Sequence, residues 1–413
     1  GCARERENVE NKRGVERRQE GTRIMTGCDE TEFGFEGATF DSRLVKPGML
    51  YVALKGGNVD GNDFIPKALE AGAAKVIGGE NALAELQSLA RRYRRSLKGA
   101  TVVALTGSAG KTTTKELLKS FLSTLGKTHA TAGNYNNHLG LPITILNCPR
   151  DARFLVLEMG SNHPGEIAAL CDIAEPDCGL VTNIGTAHIE FFKTREGIAD
   201  EKGTLLAKAR EFGAVPGNCD FKDVLRSKCR GEFVVAEPLP PELADAVKAV
   251  LPGEHNLTNA SVAFAVASRY GVSVDGAVQS LRNFALPGSR WRKVEKNGVR
   301  FIDDTYNANP DAMKAALSTF SKLENSGRKI AVLGDMFELG EASERLHAEV
   351  FEYASRLGLD AVIAVGEKSS RCKCSKSFEN LQKLQECVSE EFHKGDLVLL
   401  KASNAMKLGK ITE

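Results

Sequence analysis

The 413-residue sequence lacks the features that mark several special classes of protein. Its 55 Lys and Arg residues almost balance its 54 Asp and Glu residues, so there is no basic excess of the kind that a nucleic-acid-binding surface requires. No apolar run approaches the length of a membrane span, and the N-terminus has no apolar segment typical of a secretory signal. We therefore expect a cytoplasmic protein with no nucleic-acid partner and no stable membrane insertion.

The cysteines are not arranged as a structural framework. The sequence has 10 of them, but they are scattered, and none belongs to a CxxC pair. Cys372-Lys373-Cys374 is too tight for the usual spacing of a zinc site. The lack of a disulfide framework favours a reducing compartment. Residues 1–20 contain almost nothing to bury, and we interpret them as a solvated helix or a disordered tail.

What the sequence does contain is a regular alternation of short apolar runs and helical patterns. Leu50–Leu54 and Ala361–Val365 are examples of runs that indicate buried strands. Strands that alternate with helices predict parallel sheets, and therefore an α/β fold. We expect three domains, at residues 1–98, 99–284 and 285–413.

The most informative stretch is Thr101–Leu125, which combines a strand, a glycine-rich turn and an amphipathic helix. In that context backbone N–H groups can close around phosphate oxygens, and the helix N-terminus adds positive potential. Lys111 would reach the β- and γ-phosphates, and the Thr112 hydroxyl would bind Mg²⁺. The alternative is a solvated turn that merely contains Gly and Lys. We predict a nucleotide site formed by Gly107, Ser108, Ala109, Gly110, Lys111, Thr112 and Thr113.

Polar residues follow other predicted strands, at the sheet edge where parallel sheets bind their ligands. Glu158 follows Phe154–Leu157, and His188 comes shortly after Gly179–Thr182. Together the two side chains could hold a divalent ion beside the γ-phosphate, so we predict them as metal ligands. Taken singly, Glu158 could be a helix-cap anion and His188 a hydrogen-bonded loop histidine.

Two further strings are rich in amide side chains. Asn134–Asn137 suits polar substrate recognition and equally suits a turn that Asn side chains cap. In Asp303–Pro310, helix capping explains Asn309-Pro310. Capping does not explain Asp304 and Tyr306, which makes this string a second candidate for ligand binding.

Taken together, these strings resemble the Mur ligase family, and within it the branch that adds D-alanyl-D-alanine. Only two residues separate Gly107 from Gly110, and this short spacing is the family's own form of the phosphate loop. The strings TTTKE, NHPGEI and YNANP are specific for this branch. The matching strings are Asp41-Ser42-Arg43, Leu54-Lys55-Gly56 with Asp60-Gly61, TGSAGKTTTKE, GNYNNHLGLP, EMGSNHPGEI, VTNIGTAHIE, GEHNLTNA, DDTYNANP and LGDMFELG.

The resemblance implies an N-terminal UDP-sugar domain, a central P-loop ATPase-like domain and a C-terminal Rossmann-like domain. It implies that the carboxylate of UDP-N-acetylmuramoyl-tripeptide attacks ATP and gives an acyl phosphate. The amine of D-alanyl-D-alanine would then attack that carbonyl and expel phosphate. This amide ligation would belong to peptidoglycan precursor synthesis, and so to cell-wall biogenesis, cell shape and cell division. We expect the enzyme to be a monomer.

The resemblance also implies catalytic roles for individual residues. Lys111, Glu158, His188 and Lys202 would be catalytic, and Lys202 would be carbamylated. Of two Mg²⁺ ions, the first would be bound by Thr112. Glu158 and His188 would bind the second ion, with support from the Lys202 carbamate.

The remaining contacts are implied by the same strings. Asn259, which has no structural role on its predicted helix, would contact adenine. Arg290 and Asp304 would contact the ATP phosphate and ribose from the C-terminal domain. The substrate contacts would be Ser42, Arg43, Asn136, Asn137, Tyr306 and Asn309.

The sequence departs from the family pattern in one long segment. The stretch between Lys202 and His255 is shorter than usual, and residues 213–241 within it are weakly patterned, so we expect part of the central sheet to be missing. The alternatives are a folylpolyglutamate-type amide ligase and a nucleotide-binding homologue with impaired catalysis. DDTYNANP and NHPGEI disfavour the first, and the retained metal set disfavours the second.

Overall fold

The computed structural model describes residues 23–24, 33–57 and 59–413, so the interpretation of residues 1–20 lies outside the described residues. The chain divides into two compact units, residues 1–89 and 90–413. Within the described ranges, no helix combines the length and the apolar character needed to cross a membrane.

Strands and helices alternate along nearly the whole described chain. The strands are β1 (Arg23–Ile24), β2 (Ala38–Thr39), β3 (Leu50–Val52), β4 (Lys75–Ile77), β5 (Thr101–Thr106), β6 (Thr128–Ala130), β7 (Phe154–Glu158), β8 (Cys178–Val181), β9 (Phe212–Pro216), β10 (Glu232–Ala236), β11 (Arg292–Lys296), β12 (Val299–Asp303), β13 (Lys329–Gly334), β14 (Ala361–Val365), β15 (Lys376–Phe378) and β16 (Leu397–Lys401). The α-helices are α1 (Ile65–Glu70), α2 (Ala82–Ser96), α3 (Lys111–Leu122), α4 (Gly140–Leu146), α5 (Glu166–Ala174), α6 (Ile189–Phe192), α7 (Arg195–Lys208), α8 (Lys222–Lys228), α9 (Pro241–Val250), α10 (Glu254–Arg269), α11 (Val274–Ser280), α12 (Pro310–Ser321), α13 (Ser343–Ser355), α14 (Leu381–Glu386) and α15 (Val388–Glu391).

The first unit contains a small parallel sheet in the order β1-β4-β3-β2. Its core includes Tyr51 and Ala53 next to Ala68 of α1 and Val76 of β4. The strands are only two or three residues long. Because strands this short bury little apolar surface against each other, the sheet depends on packing against α1 for its stability.

The second unit contains a six-stranded sheet in the order β10-β9-β8-β5-β7-β6, in which every pair is parallel. On one face, Val103 and Leu105 of β5 pack with Phe121 of α3. On the other face, Val181 of β8 packs with Ile198 of α7. Helices therefore cover both faces, and polar side chains emerge at the carboxyl ends of the strands. We call this part the central domain.

The same unit contains a second six-stranded sheet, in the order β11-β12-β16-β13-β14-β15. Only the pair β11–β12 is antiparallel within the described sheet. Ile330 and Val332 of β13 belong to one core, whereas Ala331 and Leu333 belong to another. This alternation is that of a strand covered by helices on both faces. We call this part the C-terminal domain.

The three sheets confirm the predicted α/β class, its parallel central sheet and its separate C-terminal sheet. The weakly patterned segment contributes β9 and β10, and the expectation that part of the central sheet is missing stays a prediction. Both strands pair in parallel along five residues. The predicted domain bounds near residues 98 and 284 stay predictions.

Candidate active site

A cavity of about 1060 Å³ lies at the carboxyl ends of the central strands, between the central and C-terminal domains. Parallel α/β sheets bind their ligands at this edge. Of the residues predicted from the sequence, the cavity is lined by Ser108, Ala109, Gly110, Lys111, Thr112, Thr113, Asn136, Asn137, Glu158, His188, Asn259, Arg290, Asp304, Tyr306 and Asn309.

The phosphate loop between β5 and α3 depends on its two glycines. The φ angles are 151° at Gly107 and 77° at Gly110. A side chain at Gly107 would clash with Thr182, and one at Gly110 would clash with Asn259. Gly110 is also the N-cap of α3 and offers no capping side chain. The first N–H groups of α3 have no acceptor within the helix, so they form an anion site at the cavity wall.

The end of β8 and the loop after it brace the phosphate loop. Asn183 Oδ1 accepts from the backbone N–H of Ala109 at 2.8 Å. The Thr182 hydroxyl donates to the carbonyl of Ala109 at 2.6 Å, and Ser108 Oγ accepts from the N–H of Gly185 at 2.9 Å. These bonds hold the loop in one shape before any ligand arrives, which reduces the ordering cost of binding.

Lys111 is the ammonium group of the loop. Its Nζ donates to the carbonyl of Gly107 at 2.7 Å. The side chain is half-buried, and desolvation lowers the pKa of its ammonium, with Arg290 adding to the effect and Glu158 opposing it. A cation in these surroundings is stabilised by a nearby anion. The geometry therefore suits a phosphate ligand.

Glu158 ends β7 and is buried, with 3 % of its surface exposed. Its Oε2 accepts from the Thr112 hydroxyl at 2.9 Å, and its Oε1 accepts from Asn136 Nδ2 at 2.9 Å. Its backbone N–H donates to Thr131 Oγ1. Buried Lys115, a residue that the sequence analysis overlooked, donates to the carbonyl of Thr131 at 2.6 Å. The carboxylate is thus held rigidly beside a hydroxyl, and both are the oxygen donors that Mg²⁺ prefers.

The described residues contain no group of three or more His, Cys, Asp or Glu side chains that could hold a metal ion. Mg²⁺ commonly binds through one or two protein oxygens together with substrate phosphates and water. Thr112 and Glu158 supply such a pair of oxygens. Two-ion binding and the metal role of His188 stay predictions.

His188 lines the cavity and precedes α6 in a left-handed conformation, with φ of 59°. Its Nδ1 lies 2.7 Å from Oε2 of Glu338 in the C-terminal domain. The two groups are not aligned for a hydrogen bond, so the contact is an ion-pair distance rather than a directed bond. The contact lowers the pKa of Glu338.

Lys202 lies on α7 and is buried, with 1 % of its surface exposed. Its Nζ is 6.0 Å from the ring centroid of Phe192. The pKa of Lys202 is lowered to about 7, chiefly by burial and also by the charge of Lys111, while Glu201 opposes the shift. Near neutral pH, Lys202 is therefore a neutral amine in a large fraction of the molecules. Lys202 lies near enough to Lys111 for the charge of Lys111 to lower its pKa, as expected of two residues of one site.

The C-terminal domain brings a cation to the phosphate loop. Arg290 Nη2 donates to Thr112 Oγ1 at 3.0 Å, and the guanidinium carbon lies 3.3 Å from the ring centroid of Tyr306. Stacking of this kind orients a guanidinium without neutralising it. Lys401 Nζ donates to Asp304 Oδ2 at 2.6 Å. The predicted ribose contact is therefore already paired with a lysine.

Two amide residues predicted to bind substrate make structural contacts. Asn309 caps α12, since its Oδ1 accepts from the N–H of Ala312, and its Nδ2 donates to the carbonyl of Ser108 at 3.5 Å. Asn137 Oδ1 accepts from the N–H of Gly140 at 2.9 Å, which is the capped-turn alternative. Their substrate roles stay predictions.

The remaining predicted residues lie in different places. Asn259 is buried on α10 beside Gly110, and its contact with adenine stays a prediction. Ser42 and Arg43 belong to the first unit, where Asp41 caps the short 3₁₀ helix that they begin. Arg43 Nη2 donates to Asp41 Oδ2 at 2.7 Å while its side chain is 79 % exposed. Their contact with a UDP-linked substrate stays a prediction.

Sequence reasoning missed two acids of the C-terminal domain. Asp311 Oδ2 accepts from the N–H of Thr186 at 3.1 Å, across the domain boundary. An acid in the first turn of a helix is ordinary, so its position carried no signal. Glu338 lies in the string LGDMFELG, which begins at the end of β13. A polar residue just beyond a strand end is the signal that could have identified it.

Family models match three successive parts of the chain. The catalytic domain of the Mur ligase family matches residues 35–109, the Mur ligase middle domain matches 105–234, and the Mur ligase glutamate ligase domain matches 289–404. The UDP-N-acetylmuramoyl-tripeptide–D-alanyl-D-alanine ligase of Bacillus subtilis is 33% identical, with 91% of this chain and 92% of the relative covered.

Solved structures agree with the sequence comparison. MurF from Acinetobacter baumannii matches with a TM-score of 0.77 and 29% identity, covering 91% of this chain and 92% of that one. MurF ligase from Thermotoga maritima in complex with ADP matches with a TM-score of 0.77 and 30% identity, covering 93% and 97%. The described cavity, the three matched domains and these relatives lead to one conclusion: the chain belongs to the Mur ligase family.

Proposed function

We propose that the chain catalyses the ATP-dependent joining of D-alanyl-D-alanine to UDP-N-acetylmuramoyl-tripeptide, a step of peptidoglycan precursor synthesis. The observation that carries the proposal is the cavity in which the phosphate loop, Glu158 and Arg290 meet. The name of the B. subtilis relative, matched over 91% of this chain, supports the choice of substrates. The ADP in the T. maritima structure supports the choice of nucleotide.

In the first step, the tripeptide carboxylate attacks the γ-phosphorus of ATP, and the bond to the β,γ-bridging oxygen breaks. The products are an acyl phosphate and ADP. Both reactants are anions that repel each other, so the site must supply positive charge around the transferred phosphoryl group. Lys111, Arg290 and the free N–H groups at the start of α3 supply it.

We propose that Thr112 and Glu158 hold Mg²⁺ together with the nucleotide phosphates. When bound, the ion would neutralise phosphate charge. Asn136 donates a hydrogen bond to one carboxylate oxygen of Glu158, and the Thr112 hydroxyl donates to the other. The protein side of the site is therefore ordered by its own hydrogen bonds.

We further propose that Lys202 carries a carbamate. Its neutral amine nitrogen adds to the carbon of CO₂ and loses one proton, which leaves a carboxylate on Nζ. Only the neutral amine can react in this way, and burial lowers the pKa of Lys202 to about 7. The reaction would also replace a repulsive cation near Lys111 with an anion. Glu158 and His188 would bind the second Mg²⁺ ion, with support from the carbamate.

In the second step, the amine of D-alanyl-D-alanine attacks the acyl carbonyl. A C–N bond forms, the C–O bond to phosphate breaks, and the amine loses a proton. The negative charge that develops on the carbonyl oxygen and on the leaving phosphate requires the same donors as the first step. One preorganised set of cations and N–H groups can therefore serve both steps.

The proposal also covers the compartment, the oligomeric state and the substrate contacts. We place the reaction in a reducing cytoplasm, in line with the free cysteines among the described residues. We propose a monomer with domains at residues 1–98, 99–284 and 285–413, in which Ser42, Arg43, Asn136, Asn137, Tyr306 and Asn309 contact substrate. Asp304 and Asn259 would contact the ribose and adenine of ATP.

The test is an assay of phosphate release from ATP with defined substrates. We expect release only when UDP-N-acetylmuramoyl-tripeptide and D-alanyl-D-alanine are both present, with one phosphate per amide formed. Equal release without the dipeptide would contradict the proposal and indicate a plain ATPase. ADP binding without any release would indicate the catalytically impaired homologue.

A further inference from the structure

We propose that Glu338 of the C-terminal domain is a positioning residue for His188 of the central domain, so that docking of the two domains orients this histidine for metal binding. The inference rests on the proposed function, because it takes the second metal ion from there. It adds a residue for which neither the sequence motifs nor the comparisons gave a role.

The contact places a carboxylate at ion-pair distance from one ring nitrogen of the histidine. Glu338 Oε2 lies 2.7 Å from Nδ1 of His188, which leaves Nε2 as the ring nitrogen available for a ligand. Histidines that bind metals usually offer their other ring nitrogen to a carboxylate or carbonyl, which fixes the ring. His188 has few alternatives, because its side chain does not cap α6 and is 21 % exposed.

The turn that carries Glu338 is built to hold a fixed shape. The N–H of Met336 donates to His347 Nε2 at 2.9 Å, and the N–H of Phe337 donates to Ser403 Oγ at 3.0 Å. Glu338 itself has φ of 61°, a left-handed backbone conformation that residues other than glycine rarely adopt. Non-glycine residues persist there only when their surroundings enforce it, and such residues cluster at functional sites.

The same turn docks on the helix that follows His188. Gly340, with φ of 54°, lies against Glu190 of α6, and a Cβ at position 340 would lie 2.9 Å from Glu190 Cγ. The absence of a side chain at Gly340 therefore allows the close approach. Because α6 begins directly after His188, the contact that docks the turn also brings Glu338 to the imidazole.

The experiment measures Mn²⁺ binding to the full chain in the presence of ADP by electron paramagnetic resonance. Loss of an outer partner of a metal ligand typically weakens affinity about 10–100-fold, and we expect this loss for the second Mn²⁺ ion in Glu338→Ala. Glu338→Gln should lie in between. Glu341→Gln is the matched control, since Glu341 is a nearby exposed acid and should bind as the unmodified chain does.

A double-mutant cycle separates this role from a merely structural one. If Glu338 acts through His188, His188→Ala should weaken the second ion as much as the double variant does. Unchanged Mn²⁺ affinity in both Glu338 variants would overturn the inference, and so would an additive loss in the double variant. If the unmodified chain bound no Mn²⁺ with ADP, the proposed metal chemistry would itself fail, which is a distinct result.

Discussion

Lys111 and Lys202 show how one interior can give two lysines different chemistry. Desolvation lowers the pKa of both ammonium groups, and each is affected by nearby positive charge. Lys111 lines the cavity and can recover its stabilisation from a phosphate anion. Lys202 is buried on α7, so desolvation favours its neutral amine. In the proposed function, Lys111 therefore acts as a cation for ligand binding and Lys202 as the nucleophile that takes up CO₂.

For Lys111→Ala, we expect the rate of phosphate release to fall roughly 10²–10³-fold or beyond detection, because the loop loses the cation nearest to the transferred phosphoryl group. The measurement is steady-state phosphate release with both substrates. Lys119→Ala is the control, since Lys119 is exposed on the same helix. Turnover of Lys111→Ala equal to that of the control would contradict the assignment of the phosphate loop.

For Lys202→Ala, we expect loss of activity and partial recovery when short carboxylic acids are added, because they can replace the carbamate. In the unmodified chain, ¹³C NMR with labelled bicarbonate should show a carbamate signal. Its occupancy should rise as the pH increases through about 7, because the neutral amine forms above the pKa of Lys202. A fully active Lys202→Ala variant would exclude a metal-supporting carbamate.

At the scale of elements, the phosphate loop is a turn whose shape depends on Gly110. We expect Gly110→Ala to weaken ADP binding about 5- to 150-fold, because a side chain at φ of 77° costs roughly 1–3 kcal/mol and would also clash with Asn259. Calorimetric titration with ADP measures the change. Gly99→Ala is the control, because open space surrounds that position. Equal ADP affinity in the two variants would contradict the role given to the turn.

The sequence predicted those elements whose pattern is local. The run at β5 and the apolar face of α3 place Leu117, Leu118 and Phe121 in the core, where they are fully buried. The same pattern failed for β9 and β10, because Gly213 and Pro216 interrupt the apolar run of β9, and β10 is only partly buried although most of its residues are apolar. The turn that carries Gly110 and Lys111 was predicted because a strand and a helix flank it, and the structure has β5 and α3 there, while its binding of phosphate stays a prediction.

The residues that the sequence could not identify are those whose partners lie far away in the chain. Glu338 is 150 positions from His188, and Asp311 is 125 positions from Thr186. No local periodicity reports such a pairing, since it depends on how two separate sheets dock. Asn309 shows both cases. Its capping of α12 was visible in the local sequence, whereas its contact with Ser108, which is distant in the chain, was not.

At the scale of the second unit, the central and C-terminal domains meet through a small number of polar contacts. Arg290 reaches Thr112, Asn309 reaches the carbonyl of Ser108, and Asp311 accepts from Thr186. Two of these contacts fall on the phosphate loop or the first turn of α3. The docking of the domains and the shape of the nucleotide site are therefore coupled, so a ligand that orders one should stabilise the other.

Asp311→Ala tests this coupling without touching the phosphate loop. The carboxylate Oδ2 accepts from the N–H of Thr186 at 3.1 Å, and hydrogen bonds to charged groups contribute about 1.5–3 kcal/mol. We expect faster amide hydrogen exchange in residues 182–188 and a higher KM for ATP.

Asp311 also lies in the first turn of α12, where an acid stabilises the helix by roughly 0.3–1 kcal/mol. Asp275→Ala removes an acid from the first turn of α11, where the residue is exposed, and so measures that helix effect alone. Exchange rates and KM values that match in the two variants would show that the Asp311 contact does not hold the domains together.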